Sequence, residues 1–173
     1  MAILAVAAVA LVGVSSYLQT QSSIALTEHC LELLSTAVAE FHDITGHYPI
    51  DDWTVRNNVI ISPGCRIAGA NNLGGTPSSE EMLYLQLSLL PQTREIISKL
   101  PERLLAAPHD GVTVRLAHDP LADTPYLRSI VDAWGNALEY DDYNDPDRFP
   151  LIRSDGPDKT NDNGGGDDID NED

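Results

Sequence analysis

The chain has 173 residues, a formal net charge of −17 and a mean hydropathy of −0.17, which suits one domain of ordinary size. Ten Lys and Arg against 27 Asp and Glu argue against a nucleic-acid-binding surface, because phosphate contacts need clustered cations. Cations or a basic partner are the ligands that fit such a charge. From Asp141 onward there are twelve acidic and three basic residues, so −9 of the charge lies in the last 33 positions.

The N-terminus is apolar, with no charged side chain before Glu28. Residues 1–22 read as a membrane or filament-core helical segment. The first 18 or so are close to the minimum that spans a bilayer, and no Lys or Arg precedes them as a signal peptide would require. The helical pattern continues past Leu18. Ile24, Leu26, Cys30, Leu31, Leu33, Leu34, Ala37, Val38, Phe41 and Ile44 recur at spacings of three and four. One helix is therefore expected from near Met1 to about Thr45, roughly 65 Å long, stopped by Gly46 with Pro49 just beyond. A domain of this size cannot cover its first half, which must enter a membrane or pack against copies of itself. Residues 23–173 form the expected globular domain.

Cys30 and Cys65 are the only cysteines, and neither belongs to a C-x-x-C pair. Two readings stand: one disulfide in an oxidising compartment, or a buried free thiol at Cys30. His29, His42, His47, His109 and His118 have no ligand spacing and read as structural or surface residues.

Tyr48 to Gly75 is rich in turn signals, with Val59-Ile60-Ile61 as a short strand or a buried plug. Pro77 and Ser78 open a second helix, with Ser78 and Glu81 spaced as a capping box. Pro91 should break it, leaving a short helical piece from Gln92 to Leu100. Val112 to Leu116 alternates like a strand, and Trp134-Gly135-Asn136 is a turn. Leu138–Tyr143 and Phe149–Arg153 are two strands joined by an Asp/Asn/Pro loop. A long helix first and short antiparallel strands last give an α+β order.

None of the common nucleophile, phosphate-loop or zinc motifs occurs, and the chain is read as no enzyme. The Gly/Asp-rich stretch of about 154–169 carries the chemistry. Its carboxylates repel one another unless a hard cation such as Ca²⁺ gathers them. It is not an EF-hand: counted from Asp158, positions 6 and 12 are Asn163 and Ile169 rather than Gly and Glu. Asp158, Asp167 and Asp168 can still supply carboxylates, and the glycines let carbonyls turn inward. The last acids, Asp170, Glu172 and Asp173, read as a solvated tail.

Three elements together resemble a known family. They are Gly46-His47-Tyr48-Pro49 after the long helix, Asp132-Ala133-Trp134-Gly135-Asn136 with Tyr140, and Ser154-Asp155-Gly156-Pro157-Asp158 followed by Asp167-Asp168-Ile169. In order and placement they resemble the type IV pilin-like proteins, most of all the major, G-type pseudopilin of type II secretion systems. The resemblance implies a pilin-like fold: a half-exposed N-terminal helix packed on a small antiparallel sheet, with a C-terminal calcium loop. It implies a periplasmic filament assembled through the apolar helix halves, which supports protein export across the outer membrane. Other pseudopilins and inner-membrane secretion components would be its partners. Localisation would be single-pass in the inner membrane, with the C-terminal domain in the periplasm. The implied Ca²⁺ ligands are the carboxylates of Asp158, Asp167 and Asp168, with backbone carbonyls at Asp155 and Thr160. The family's leader, its Gly-Phe junction and the Glu that follows do not precede Met1-Ala2-Ile3-Leu4, which aligns with the interior of the apolar helix. The expectation is a displaced or truncated start, or an unprocessed copy. The loop is also longer than in the family, and the Ser78–Leu100 region larger. A type IV pilus subunit and a membrane-anchored periplasmic binding or adaptor domain are the alternative functions.

Overall fold

The spacing of three and four that marks the N-terminal third becomes one continuous helix. A computed structural model of the chain describes residues 2–50, 60–62, 65–68, 78–106, 115–116, 128–143, 145 and 147–172; for 2–13 and the strands within 60–68 and 115–116 it describes the backbone. Helix α1 runs Ala2–Thr45, 44 residues, about 66 Å at 1.5 Å per residue. From Thr27 onward it changes character. Cys30, Leu31, Leu34, Ala37, Val38 and Phe41 form a buried stripe, each three or four residues from the next turn's member. Over residues 14–22 the helix is exposed: Val14, Tyr17 and Leu18 are 58%, 64% and 60% exposed, and cover from the domain begins near Leu26. Among the residues whose side chains are described, from Val14 onward, no helix is long and apolar enough to cross a membrane.

Gly46 ends α1 as its position in the sequence predicts. Its φ of 78° suits glycine best, and its N–H donates to the His42 carbonyl at 2.7 Å, the bond of a left-handed helix cap. The chain then turns back over Tyr48 and Pro49. Hydrogen bonds hold this return: the Tyr140 hydroxyl donates to the Pro49 carbonyl at 2.6 Å, and Gln86 brackets Ile50, accepting from its N–H and donating to its carbonyl.

Helix α2 spans Ser79–Leu89 and α3 spans Pro91–Ile97. The Glu81 carboxylate accepts from the Ser78 N–H at 3.0 Å, as expected of a residue three positions into a helix. Pro91 breaks the pair as predicted. It sits at the first position of α3, where its missing N–H costs nothing, and Leu90 is at once the end of one helix and the start of the next. Regular α3 is shorter than the sequence pattern suggests. After Ile97 the bonds tighten to the i+3 type, Lys99 to Ile96 and Leu100 to Ile97, before a 3-10 turn at Glu102–Leu104.

Strands β1 (Ile60–Ser62), β2 (Cys65–Ala68) and β3 (Arg115–Leu116) form one antiparallel sheet in that order. Strand β2 lies in the stretch read as irregular. Of the strand predicted at Val112–Leu116, the part before Arg115 falls outside the described residues. The second sheet orders β4 (Glu139–Asp141), β5 (Leu151–Ser154) and β6 (Ile169–Asp170), again antiparallel. Tyr140 pairs with Ile152, and Arg153 with both Glu139 and Asp170. The central strand β5 is buried throughout because it lies under α1. The core joins α1 through Leu34, Val38 and Phe41 to Leu83 and Leu87 of α2, Ile97 of α3, Ile130, Leu138 and the β4–β5 pair. The layout is α+β: a long N-terminal helix on a small three-stranded antiparallel sheet.

Candidate cation-binding loop

The loop between β5 and β6 starts from a buried carboxylate some twenty residues upstream. Asp132 is 1% exposed, and its oxygens accept four hydrogen bonds. One oxygen takes the Trp134 and Asn136 N–H groups at 2.9 and 2.8 Å. The other takes the Asn136 carboxamide and the Ser154 hydroxyl at 2.8 and 2.7 Å. Gly135, with φ 83°, allows the tight turn that folds these donors back. A polar group this deep is tolerated only when its hydrogen-bonding atoms are paired. The turn also rests on α1, because the Ala133 N–H donates to the buried Thr27 hydroxyl at 3.2 Å.

Beyond Ser154 the chain turns sharply at Gly156, with φ 65°. A Cβ there would collide with the backbone carbonyl of Asp167, so only glycine lets the two ends of the loop meet. Asp158 follows; its N–H donates to the Asp167 carboxylate at 3.1 Å, and its own carboxylate accepts from the Thr160 N–H at 2.7 Å. The chain then swings out through Asp162 and returns over the glycines. At Gly166 a Cβ would strike the Asp162 carboxylate. Glycine there leaves room for the Asp162 carboxylate beside the returning chain.

The result is a cluster. Carboxylate oxygens of Asp158, Asp162 and Asp167 all lie within 4.8 Å of one another. Ligands at 2.3–2.6 Å from one hard cation are themselves no more than about 5 Å apart, so this spacing fits a single ion. The donor set is all oxygen, which suits Ca²⁺- or Mg²⁺-type cations and not a soft metal. These three aspartates could hold a metal ion.

The predicted site residues fall into two groups. Asp158 and Asp167 belong to the cluster. Asp168 stands beside it: one of its oxygens accepts from the Asp162 and Gly164 N–H groups at 2.9 Å each, and the other is buried with no hydrogen-bond partner. Asp155 is half-buried, and its carboxyl is pushed above the ordinary value, first by burial and then by the Asp168 and Glu139 carboxylates, against the pull of Arg153. Thr160 contributes its N–H to Asp158 and is exposed. The sequence reading missed Asp162. The signal was there: Asp158, Asp162 and Asp167 bracket three consecutive glycines, the segment that lets the chain fold back on its own acids. It also missed β6, whose Ile169 and Asp170 close the loop onto β5.

Elsewhere the Arg153 guanidinium pairs with Glu139, and the Asn161 carboxamide donates to the same carboxylate at 3.0 Å, tying the outer loop to β4. Cys30 carries a buried free thiol, pushed up to about 12 by burial and by the nearby Asp132 carboxylate.

No family model, no curated protein and no solved structure matches this chain.

Proposed function

We propose that the chain is a structural, non-catalytic subunit of a periplasmic pseudopilus of a type II secretion-like system. It would be held in the inner membrane by its N-terminal helix with the remainder in the periplasm, and would assemble through that helix with further copies, other pseudopilins and inner-membrane secretion components. Its β5–β6 loop would be closed by Ca²⁺. The observation that carries this reading is the division of α1. Its C-terminal half is the spine of the core, whereas the preceding turns present Val14, Tyr17 and Leu18 with no cover from the domain. Each such side chain gains about 1.5–3 kcal/mol when buried, which favours helix-to-helix packing between copies or insertion in lipid. Contacts that repeat between different faces of identical subunits build open filaments. The Gly46, Trp134-Gly135-Asn136 and Asp-rich elements that resemble the pseudopilins support the same reading. Of the hard cations, Ca²⁺ suits an exposed, irregular carboxylate loop better than Mg²⁺, which demands a near-octahedral site.

The test is electron microscopy of the purified full chain after detergent removal. Fibres are expected for the wild type and none for Leu18→Asp, with the circular dichroism of the two unchanged. A wild type that remains monomeric and disperse without detergent, or a Leu18→Asp variant that still forms fibres, overturns the proposal.

A further inference from the structure

The Asp132-Ala133-Trp134-Gly135-Asn136 turn has geometry beyond that of a turn. Both hydrogens of the Asn136 carboxamide are committed: one to Asp132, the other to the carbonyl of Gly156, each at 2.8 Å. The N–H of Gly156 is held as well, donating at 3.1 Å to the Ser154 hydroxyl, which itself donates to Asp132. One buried carboxylate thus grips both backbone polar groups of Gly156, each through a single intermediary side chain. Gly156 is the residue seated against the Asp167 carbonyl, two positions before Asp158. The direction of that corner decides whether Asp158 faces Asp167.

We propose that Asn136 is a positioning residue for the cation site of the loop, with Asp132 as its anchor and Ser154 as the parallel tether. Asn136 touches no ion. It fixes the Gly156 corner so that the first carboxylate of the loop meets the last. Alanine at 136 frees the Gly156 carbonyl and leaves the three aspartates to spread under their own repulsion. This inference rests on the cation reading of the loop. It goes beyond it in assigning a role to a residue about twenty positions away, in a different element.

The experiment is a titration of the full chain in detergent with CaCl₂, with thermal melts in Ca²⁺ and in EGTA. Asn136→Ala is expected to weaken Ca²⁺ binding about 10-fold or more, the usual effect of losing a partner behind the ligands. It should lower the melting temperature more in Ca²⁺ than in EGTA, because weakened binding subtracts from the folded state only when the ion is present. Ser154→Ala should act in the same direction. An Asn136→Ala variant with unchanged affinity, and equal melting losses in both buffers, overturns the proposal and leaves Asn136 a purely structural residue. Should Asn136→Ala not fold, the Ser154→Ala titration decides on the same two readouts. A wild type that ignores Ca²⁺ overturns the cation reading itself, an outcome distinct from a wild type that responds and a variant that responds equally.

Discussion

Withdrawing Ca²⁺ from the β5–β6 loop should leave three carboxylates facing one another, and the cost can be worked from their spacing. Two unit charges 4.8 Å apart repel by about 0.9 kcal/mol at the dielectric of water and about 3.5 kcal/mol at an effective value of 20. Asp158 and Asp162 are exposed and Asp167 half-buried, so the lower figure applies, giving about 2–3 kcal/mol for the three pairs. An ion present at a hundred times its dissociation constant adds about 2.7 kcal/mol to the folded state. In a domain of this size 1 kcal/mol moves the melting temperature about 2–4 °C. Chelation with EGTA should therefore lower the melting temperature by roughly 5–10 °C. Asp162→Asn separates the two effects, since it removes two of the three repulsive pairs together with one ligand. In EGTA it should melt higher than the wild type, and its gain on adding Ca²⁺ should largely disappear. Differential scanning fluorimetry with Ca²⁺, Mg²⁺ and EGTA reads all three values. A wild type whose melting temperature is the same with and without Ca²⁺ would refute the reasoning, as would an Asp162→Asn variant that keeps the full increment.

Two further predictions concern the spine. Phe41→Ala removes a fully buried ring from the face of α1 that meets the core and should cost about 3–5 kcal/mol, read as a reduced urea midpoint with an unchanged m-value. Burial holds the Cys30 thiol neutral and its folded pKa lies above the ordinary 9.0. The stability this contributes is complete below pH 9 and is lost as the pH rises towards about 12. Wild type should lose melting temperature steeply between pH 9 and 11 and Cys30→Ala less so. Iodoacetamide at pH 8 should leave Cys30 unmodified in the folded chain. Rapid alkylation there would contradict the burial.

Helix α1 and its end were legible because each rests on local chemistry. A stripe at spacings of three and four needs only the helix's own period, and a glycine before a Tyr-Pro return is a stop signal read within a few residues. Pro91 and the β4–β5 pair were legible for the same reason. Strands β2 and β6 were not. Cys65–Ala68 sits among Pro, Gly and Asn, and Ile169–Asp170 is two residues long, so both are strands by virtue of their partners rather than their composition. The loop shows the same limit at the level of single side chains. Asp158 and Asp167 stand out by position, but Asp162 joins them where glycine at 166 leaves room for its carboxylate beside the returning chain. Asp132 gave least away. In the sequence it opens the Asp132–Asn136 motif, but nothing local says that it is buried beneath four donors.

The most direct test of the filament account is a helical reconstruction of fibres formed by the full chain. The account predicts α1 helices bundled along the fibre axis, with Val14, Tyr17 and Leu18 buried against neighbouring copies and the Asp158–Asp162–Asp167 loop on the outer surface. Fibres joined through the globular domain, with those three side chains still facing solvent, would contradict it.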